Sequence, residues 1–339
     1  MVRKLKNQEK TKTLEKFLKK IEKNTQIAEC IWDEKDECFG KIVQAHSIQN
    51  NRFLKKISKD GNIFEFSLGV SEDNSLMSSF KKIGRKSFST FRGFCQKHDK
   101  ELFQPIEDKD YSETQEQNFL FAFRAFAKEF HTKKQVSLTY KNLITEIENN
   151  PDINNFILKI FSLKLLNNEE ISLKIFQEEL KFFKKEIKEK TFNGLYTYKI
   201  ILNKEYPIVS NSAFIPYLNV NFEDVFTEQE YEKIQTGEIN PTIYLNIFPE
   251  NNKTFILISC LERYKNILEK FFNAFGNKRE IKDQLSTLIL MYAQNTGFSP
   301  EYIENFFTLE EIEDINDLFI ENLPNPLFSS KYSINLFKS

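Results

Sequence analysis

The chain has 339 residues, of which 40% are hydrophobic and 29% are charged, and this apolar content suffices for a core shared by two or three domains. Every apolar run ends well before 18 residues, so the sequence predicts no membrane-spanning helix. Four cysteines with no evident pairing pattern and no recognisable secretory leader favour a cytoplasmic protein in a reducing environment.

Charge is unevenly distributed along the chain, although the formal net charge is only −1. Residues 1–107 contain 22 Lys and Arg against 15 Asp and Glu, whereas the remainder contains 26 against 34. A basic region of this kind is typical of proteins that bind a phosphate backbone. Segment 1–27 also has apolar residues at helical spacing, which predicts a basic amphipathic helix. For that helix alone, a solvated lysine-rich surface is the alternative interpretation.

Segment 28–107 holds three of the four cysteines and two of the three histidines. Cys95 and His98 form a C-x2-H pair, and on a helix this spacing places both side chains on one face, about one turn apart. Cys30 and Cys38 form a second pair, separated by seven residues, where a zinc knuckle normally has two to four. Two such pairs supply the four nitrogen and sulfur ligands of tetrahedral Zn²⁺. The sequence therefore predicts a structural zinc site in this segment.

The elements predicted around the two pairs are a short strand at 41–46, a return strand at 62–66 and a helix at 87–103. The strands follow from β-branched and alternating residues, with Asp60-Gly61 as the turn before the return strand. A knuckle, a hairpin and a helix whose first turn carries the last two ligands make a treble clef. This arrangement resembles the zinc-bearing branch of the HNH (ββα-metal) nucleases.

The HNH resemblance implies roles for two further residues. A histidine at the end of the first strand is the general base of those nucleases, which implies this role for His46. A helix residue holds their catalytic metal, which implies Asp99 as a ligand of Mg²⁺ or Mn²⁺. From the residues alone, His46 is equally a structural group or a zinc ligand in place of Cys30, and Asp99 is a surface carboxylate near the positive end of the helix dipole. The residue before the family's base is commonly aspartate and here is Ala45.

Four strings distributed over most of the chain resemble the shared motifs of a bacterial protein family. They are A-H-S-I-Q at 45–49, S-T-F-x-G-F-C-x-x-H-D-x-x-L-F-x-x-I-E at 89–107, F-R-A-F-A-K-E at 123–129 and N-T-x-F-S-P at 295–300. This second resemblance implies no activity. It implies that several polar residues belong to one unit, namely His46, Ser47, Gln49, Cys95, His98 and Asp99.

The remaining chain predicts a fold without further ligand chemistry. Helical periodicity dominates 108–190, with predicted helices at 115–132, 137–149, 152–166 and 169–189 and a break at 149–151. Strand patterns follow within 191–339, at 195–202, 208–217, 242–248 and 254–260, with helices after them. The predicted fold class is thus α+β: an N-terminal treble-clef-like zinc finger, a central helical bundle and a small C-terminal antiparallel sheet flanked by helices.

Two functional hypotheses follow. The first is a metal-dependent HNH-like nuclease, with zinc as a structural ion and Mg²⁺ or Mn²⁺ at the catalytic residues, which by its architecture would suit a component of bacterial anti-phage defence. The second is a non-catalytic zinc-finger protein that binds nucleic acid, a protein partner or another subunit. No Walker loop, dinucleotide-binding glycine fingerprint or G-x-S-x-G is present, which disfavours nucleotide hydrolysis. The basic residues expected to contact nucleic acid are Arg52, Lys55, Lys56, Lys81, Lys82, Arg85 and Lys86.

Overall fold

The computed structural model describes residues 23–32, 37–70, 76–149, 156–276, 279–321 and 334–339. Most of the predicted helix at 1–27, and residues 150–151 of the predicted break, lie outside these ranges. The described residues form a mixed fold of helices and antiparallel strands, with one seven-stranded sheet and one two-stranded sheet. The α+β class predicted from the sequence is confirmed.

The strands are numbered in chain order. They are β1 Ile42–His46, β2 Asn62–Val70, β3 Leu76–Gly84, β4 Thr90–Cys95, β5 Leu195–Leu202, β6 Ile208–Phe214, β7 Ile243–Glu250, β8 Lys253–Leu261 and β9 Thr296–Phe298. The principal helices are α1 Gln96–Glu107, α2 Gln115–Asn149, α3 Phe156–Glu189, α4 Glu228–Thr236, α5 Ile281–Tyr292, α6 Pro300–Phe306 and α7 Leu309–Glu321. A π-helical turn, Asn50–Leu54, leads into a short helical turn, Lys55–Ile57.

The seven-stranded sheet has the order β3-β2-β9-β6-β7-β8-β5, with antiparallel neighbours. Strand β9 is only three residues long, yet it pairs with β2 on one side and β6 on the other. At Gly297 in β9, a Cβ atom would approach the Phe88 ring to 2.8 Å and Ile63 to 3.1 Å. The sheet is thus larger than the one predicted, because β2 and β3 come from the N-terminal part of the chain.

The pairing predicted for the first strand is wrong. β1 pairs with β4, whereas β2 belongs to the large sheet. The reason is that β2 has apolar residues on both faces: Ile63 is fully buried, and Phe66 stacks on Phe319 of α7 with ring centroids 4.2 Å apart. A two-stranded hairpin cannot cover both faces of a strand, whereas a large sheet packed with helices can. Accordingly, α1 begins at Gln96, after β4, and not at Ser87.

Two long helices replace the four predicted between 115 and 189. A run of nine residues in α2, from Phe119 to Ala127, is buried on every side. The ring centroid of Phe126, for example, lies 4.8 Å from that of Phe183 in α3 and 6.4 Å from that of Tyr244 in β7. Each fully buried phenylalanine stabilises the fold by about 1.5–3 kcal/mol, which holds α2 between α3 and the sheet. No helix among the described residues combines the length and apolar character needed to cross a membrane.

A buried carboxyl joins α3 to the sheet. Glu179 is fully buried and accepts hydrogen bonds from Asn240 Nδ2 at 3.1 Å and Tyr244 Oη at 3.2 Å. The Arg263 guanidinium is 3.9 Å away and half exposed. Burial raises the pKa of Glu179 to about 7, although the hydrogen bonds and Arg263 oppose the rise.

This raised pKa predicts a stability that depends on pH. The folded protein binds the Glu179 proton more tightly than the unfolded chain, so stability is lost as pH rises from about 4.5 towards 7. We expect wild type to lose up to about 3 kcal/mol relative to Glu179→Gln between pH 5 and pH 8 in urea unfolding. Glu178→Gln, at the exposed neighbouring position, should follow wild type. Superimposable pH profiles for wild type and Glu179→Gln would contradict this assignment.

Candidate functional site

Four side chains of the N-terminal region converge on one point. The sulfurs of Cys30, Cys38 and Cys95 lie 3.3, 3.7 and 3.3 Å from Nδ1 of His98. All four atoms lie within 4.8 Å of one another. They are also the four ligands that the sequence predicts.

Their geometry fits metal coordination better than hydrogen bonding. One ring N–H cannot donate to three sulfurs at once. With zinc bonds of about 2.3 Å to sulfur and about 2.0–2.1 Å to nitrogen, a tetrahedron separates sulfur from nitrogen by about 3.5 Å. The three observed separations bracket that distance. The cluster could therefore hold a metal ion such as zinc.

Cys30 is positioned by backbone pairing along β4. Ile31 N–H donates to Gly93 O at 2.8 Å, and Glu29 N–H donates to Arg92 O at 3.2 Å. This approach depends on Gly93, because a Cβ there would lie 2.5 Å from the Phe91 ring and 2.9 Å from Ile31. The wide spacing between the first two cysteines follows, since Cys30 lies on an extended segment and not in a knuckle.

Cys38 reaches the cluster from a turn that covers the start of α1. Gly40 in this turn has φ +78°, a conformation that glycine adopts without strain. Cys95 is the N-cap of α1, and its pKa is lowered because backbone hydrogen bonds to the sulfur outweigh burial. Partial desolvation and the neighbouring Cys30 and Cys95 sulfurs raise the pKa of Cys38 to about 12. Three adjacent thiolates repel one another, and a divalent cation relieves that repulsion.

The two residues predicted as catalytic, His46 and Asp99, lie outside the Cys/His cluster, and the charge of Arg124 in α2 acts on both. Asp99 Oδ1 is 3.8 Å from Arg124 Nη2, and Glu107 Oε1 is 2.5 Å from the same nitrogen. His46 is close enough for the charges of Arg124 and Glu107 to affect its titration. Arg124 is buried, with its guanidinium 4.5 Å above the Phe103 ring. Among the described residues, no group of three or more His, Cys, Asp or Glu other than the Cys/His cluster is close enough to hold a metal ion.

The surroundings of the His46 ring favour one tautomer. The backbone of Arg85 and Lys86 acts to raise the pKa of His46, as nearby carbonyl oxygens do, whereas Nε2 is buried with no hydrogen-bond partner among the described residues. Protonation at Nδ1 leaves the lone pair on Nε2. Burial, followed by the positive charge of Arg124, lowers the pKa of His46. The imidazole is thus neutral at pH 7.

A hydrogen-bonded junction ties the β1–β4 unit to the large sheet. Asn295 Nδ2 lies 3.0 Å from Ser47 Oγ, 2.9 Å from Ser89 Oγ and 2.7 Å from Asn211 O. Ser47 and Ser89 also bond to each other. Residues from the first, second and fourth sequence motifs therefore meet here, and Arg124 from the third pairs with the second motif.

Several of the predicted nucleic-acid contacts are engaged within the protein. Arg52 pairs with Asp110 at 2.9 Å and also with Glu250. Arg85 Nη1 donates to Asn50 Oδ1 at 2.7 Å. These two arginines fasten the π-helical turn, a structural role that competes with binding a phosphate.

The predicted lysines lie nearer the surface. Lys56 forms an ion pair with Glu205. Lys82 lies 5.8 Å from the centroid of Phe64, and Lys81 is opposite Glu65 in the β2–β3 ladder. All five of the predicted lysines have exposed side chains, namely Lys55, Lys56, Lys81, Lys82 and Lys86.

Arg124 and Glu107 were not predicted as site residues. The sequence does contain a signal for Arg124, because it is the one charged residue in the run F-L-F-A-F-R-A-F-A. A charge within such a run is buried if the helix is buried, and it then requires a partner. The identity of that partner depends on how α1 packs against α2, which spacing along the chain does not give.

Comparisons with protein-family models, with curated proteins and with solved structures found no match. The functional interpretation therefore depends on the residues and their geometry.

Metal binding predicts a specific effect of Cys95→Ser. We expect the purified wild-type chain to contain one zinc ion, and the variant to lose it and unfold around β1, β4 and α1. Metal binding contributes on the order of 10 kcal/mol to the folding of small zinc fingers. Metal analysis and hydrogen exchange on the full chain would measure both effects.

Cys260→Ala is the matched control, because Cys260 is a buried thiol in β8, far along the chain from the cluster. This variant should retain its zinc even if it loses some stability. Zinc content unchanged by Cys95→Ser would exclude the four-ligand site.

Proposed function

We propose that the chain is a metal-dependent phosphodiesterase acting on nucleic acid, with β1, β4 and α1 as an HNH-like catalytic unit. Zinc at Cys30, Cys38, Cys95 and His98 would hold that unit together without taking part in the chemistry. The single observation that supports catalysis best is the state of His46, a neutral histidine at the end of β1 whose Nε2 lone pair has no partner among the described residues.

A neutral imidazole with a fixed tautomer is the form that accepts a proton from an attacking water. The nearby backbone carbonyls of Arg85 and Lys86 favour the tautomer with the proton on Nδ1. His46 Nε2 is shielded from solvent. A substrate therefore reaches it only after the surrounding side chains move, which makes a triggered activity part of the proposal.

Asp99 is the residue that would hold a catalytic Mg²⁺ or Mn²⁺. Its Oδ1 atom is buried without a hydrogen bond among the described residues, and carboxylate oxygen is a preferred ligand of both ions. Burial raises the pKa of Asp99, with Arg124 opposing and Glu107 reinforcing the rise. A divalent ion, when bound, stabilises negative charge on the phosphate and its leaving oxygen.

The ion pairs of Arg124 favour a second candidate function. In this alternative the chain is a non-catalytic zinc-containing module that binds nucleic acid or a protein partner. The guanidinium lies between Asp99 and Glu107 and neutralises charge that a divalent ion would otherwise neutralise. On this alternative, the group of His46, Asp99, Glu107 and Arg124 is a packing contact between β1, α1 and α2. The exposed lysines would then be the surface that a partner contacts.

The two candidates differ in what His46→Ala does. If His46 is the general base, the variant keeps its zinc and its nucleic-acid binding but loses about 10²- to 10⁴-fold in Mn²⁺-dependent cleavage. Cleavage of single- and double-stranded DNA and RNA would be measured alongside zinc content and melting temperature.

Gln104→Ala, at an exposed position on α1, is the matched control and should keep full cleavage. A His46→Ala variant that melts lower, in a protein whose wild type cuts none of the four substrates, would support the non-catalytic candidate. Equal cleavage by wild type and His46→Ala would exclude His46 as the base.

A further inference from the structure

We propose that a cleft between α2 and the β1–β4 ladder binds a phosphate group through Lys128 and Arg92. The cleft measures about 220 Å³ and is lined by polar side chains that include Gln44, Thr90, Thr132 and Gln135. A water molecule occupies about 30 Å³ in the liquid, so there is room for a tetrahedral oxyanion. The inference goes beyond the proposed function, because it requires binding and no hydrolysis.

Lys128 is the group that most needs a ligand. It lies one helical turn after Arg124 on α2, is partly buried, and forms no ion pair within the described part of the chain. Burial lowers the pKa of Lys128, and the charges of Glu129 and Glu65 oppose this shift only in part. A desolvated ammonium without an ion-pair partner is costly, and an anion in the cleft would reduce that cost.

The nearest carboxylates, Glu129 and Glu65, attract Lys128 without forming an ion pair with it, and each also has another cationic neighbour. Glu129 forms an ion pair with Lys133 at 3.7 Å. Glu65 is opposite Lys81 in the β2–β3 ladder, and burial raises its pKa while the charges of Lys81 and Lys128 oppose the rise. Both carboxylates act on Lys128 through charge alone, and neither forms an ion pair with it among the described residues.

The neutral groups of the cleft suit a ligand rich in acceptor oxygens. Gln44 Nε2 donates to Thr90 Oγ1 at 2.8 Å, and Thr90 Oγ1 donates to Ser87 O at 2.9 Å. This chain fixes the Gln44 amide at the cleft wall, where its second N–H can donate. Two cations and the side-chain N–H donors of Gln44 and Gln135 on opposite walls match a phosphate, which accepts several charge-assisted hydrogen bonds.

The cleft lies close in the β1–β4 ladder to the residue proposed as the catalytic base for nucleic-acid cleavage. Thr90 is the ladder partner of His46, so the cleft begins beside the strand position of the proposed base. A phosphate of a nucleic acid strand and a free phosphate compound offer the same chemistry here. Binding experiments can distinguish these two sources.

The test is Lys128→Met in the full chain. With inorganic phosphate as the probe in calorimetric titration, we expect the variant to bind at least about tenfold more weakly, the effect of one lost charge-assisted contact. Its melting temperature should rise, because methionine removes a desolvated unpaired charge while filling a similar volume. A lysine with a purely structural role would give lower stability and unchanged phosphate binding, and this result would overturn the proposal.

Two further variants make the result specific. Lys199→Met removes a lysine that is paired with Glu113 on another part of the sheet, and it should bind phosphate like wild type. Arg92→Gln, at an exposed position, should weaken phosphate binding without affecting the fold. Wild type that fails to bind inorganic phosphate at low salt, or Lys199→Met that loses as much affinity as Lys128→Met, would exclude the site.

A fluorescent 12-nucleotide single-stranded DNA identifies the source of the phosphate. If inorganic phosphate competes with the DNA and Lys128→Met weakens both, the site takes the phosphate of a strand. If only inorganic phosphate is affected, the ligand is a free phosphate compound. His46→Ala should leave phosphate binding intact, so loss of catalysis and loss of the cleft are measured separately.

Discussion

The burial of one guanidinium constrains much of this fold. Arg124 lies in the middle of the run of α2 that is buried on every side, with only 2% of its surface exposed. A charge at such a place is tolerated only when it is paired and hydrogen-bonded. Its carboxylate partners, Asp99 and Glu107, and the aromatic face of Phe103 all belong to α1. The need to pair the buried charge of Arg124 therefore fixes the orientation of α1 against α2.

With this contact in place, α1 is held at both ends by different interactions. At its beginning, Cys95 and His98 join the Cys/His cluster, and at its end Glu107 pairs with Arg124. Trp32 links the cluster to the core, with its ring 5.9 Å from His98 and 6.3 Å from Phe123. The Cys/His cluster is thus continuous with the main core. This continuity distinguishes it from an independently folding zinc finger.

Features that depend on residues close together in the sequence could be predicted, whereas features that depend on residues far apart in the sequence could not. The Cys95–His98 pair and strand 195–202 depend on local spacing and alternation, and both are found in the structure as expected. Strand β3 was missed because Lys81 and Lys82 interrupt its pattern, and β9 because three residues carry no period. The partner of β1 was predicted wrongly because the expected partner, β2, pairs with β9 in the large sheet. No local sequence pattern indicates the position of β9.

The placement of β9 also determines the order in which the sheet can be completed during synthesis. Strands β2 and β3 leave the ribosome early, and the block of β5 to β8 follows, but the two blocks have no common edge until Thr296–Phe298 emerges. Until then the inner edges of β2 and β6 present unpaired backbone groups, which invite pairing with other chains. Closing a sheet across so much intervening sequence is also slow. The nascent chain therefore passes through a period in which its two half-sheets are open to pairing with other chains, and this period ends when Thr296–Phe298 pairs with β2 and β6.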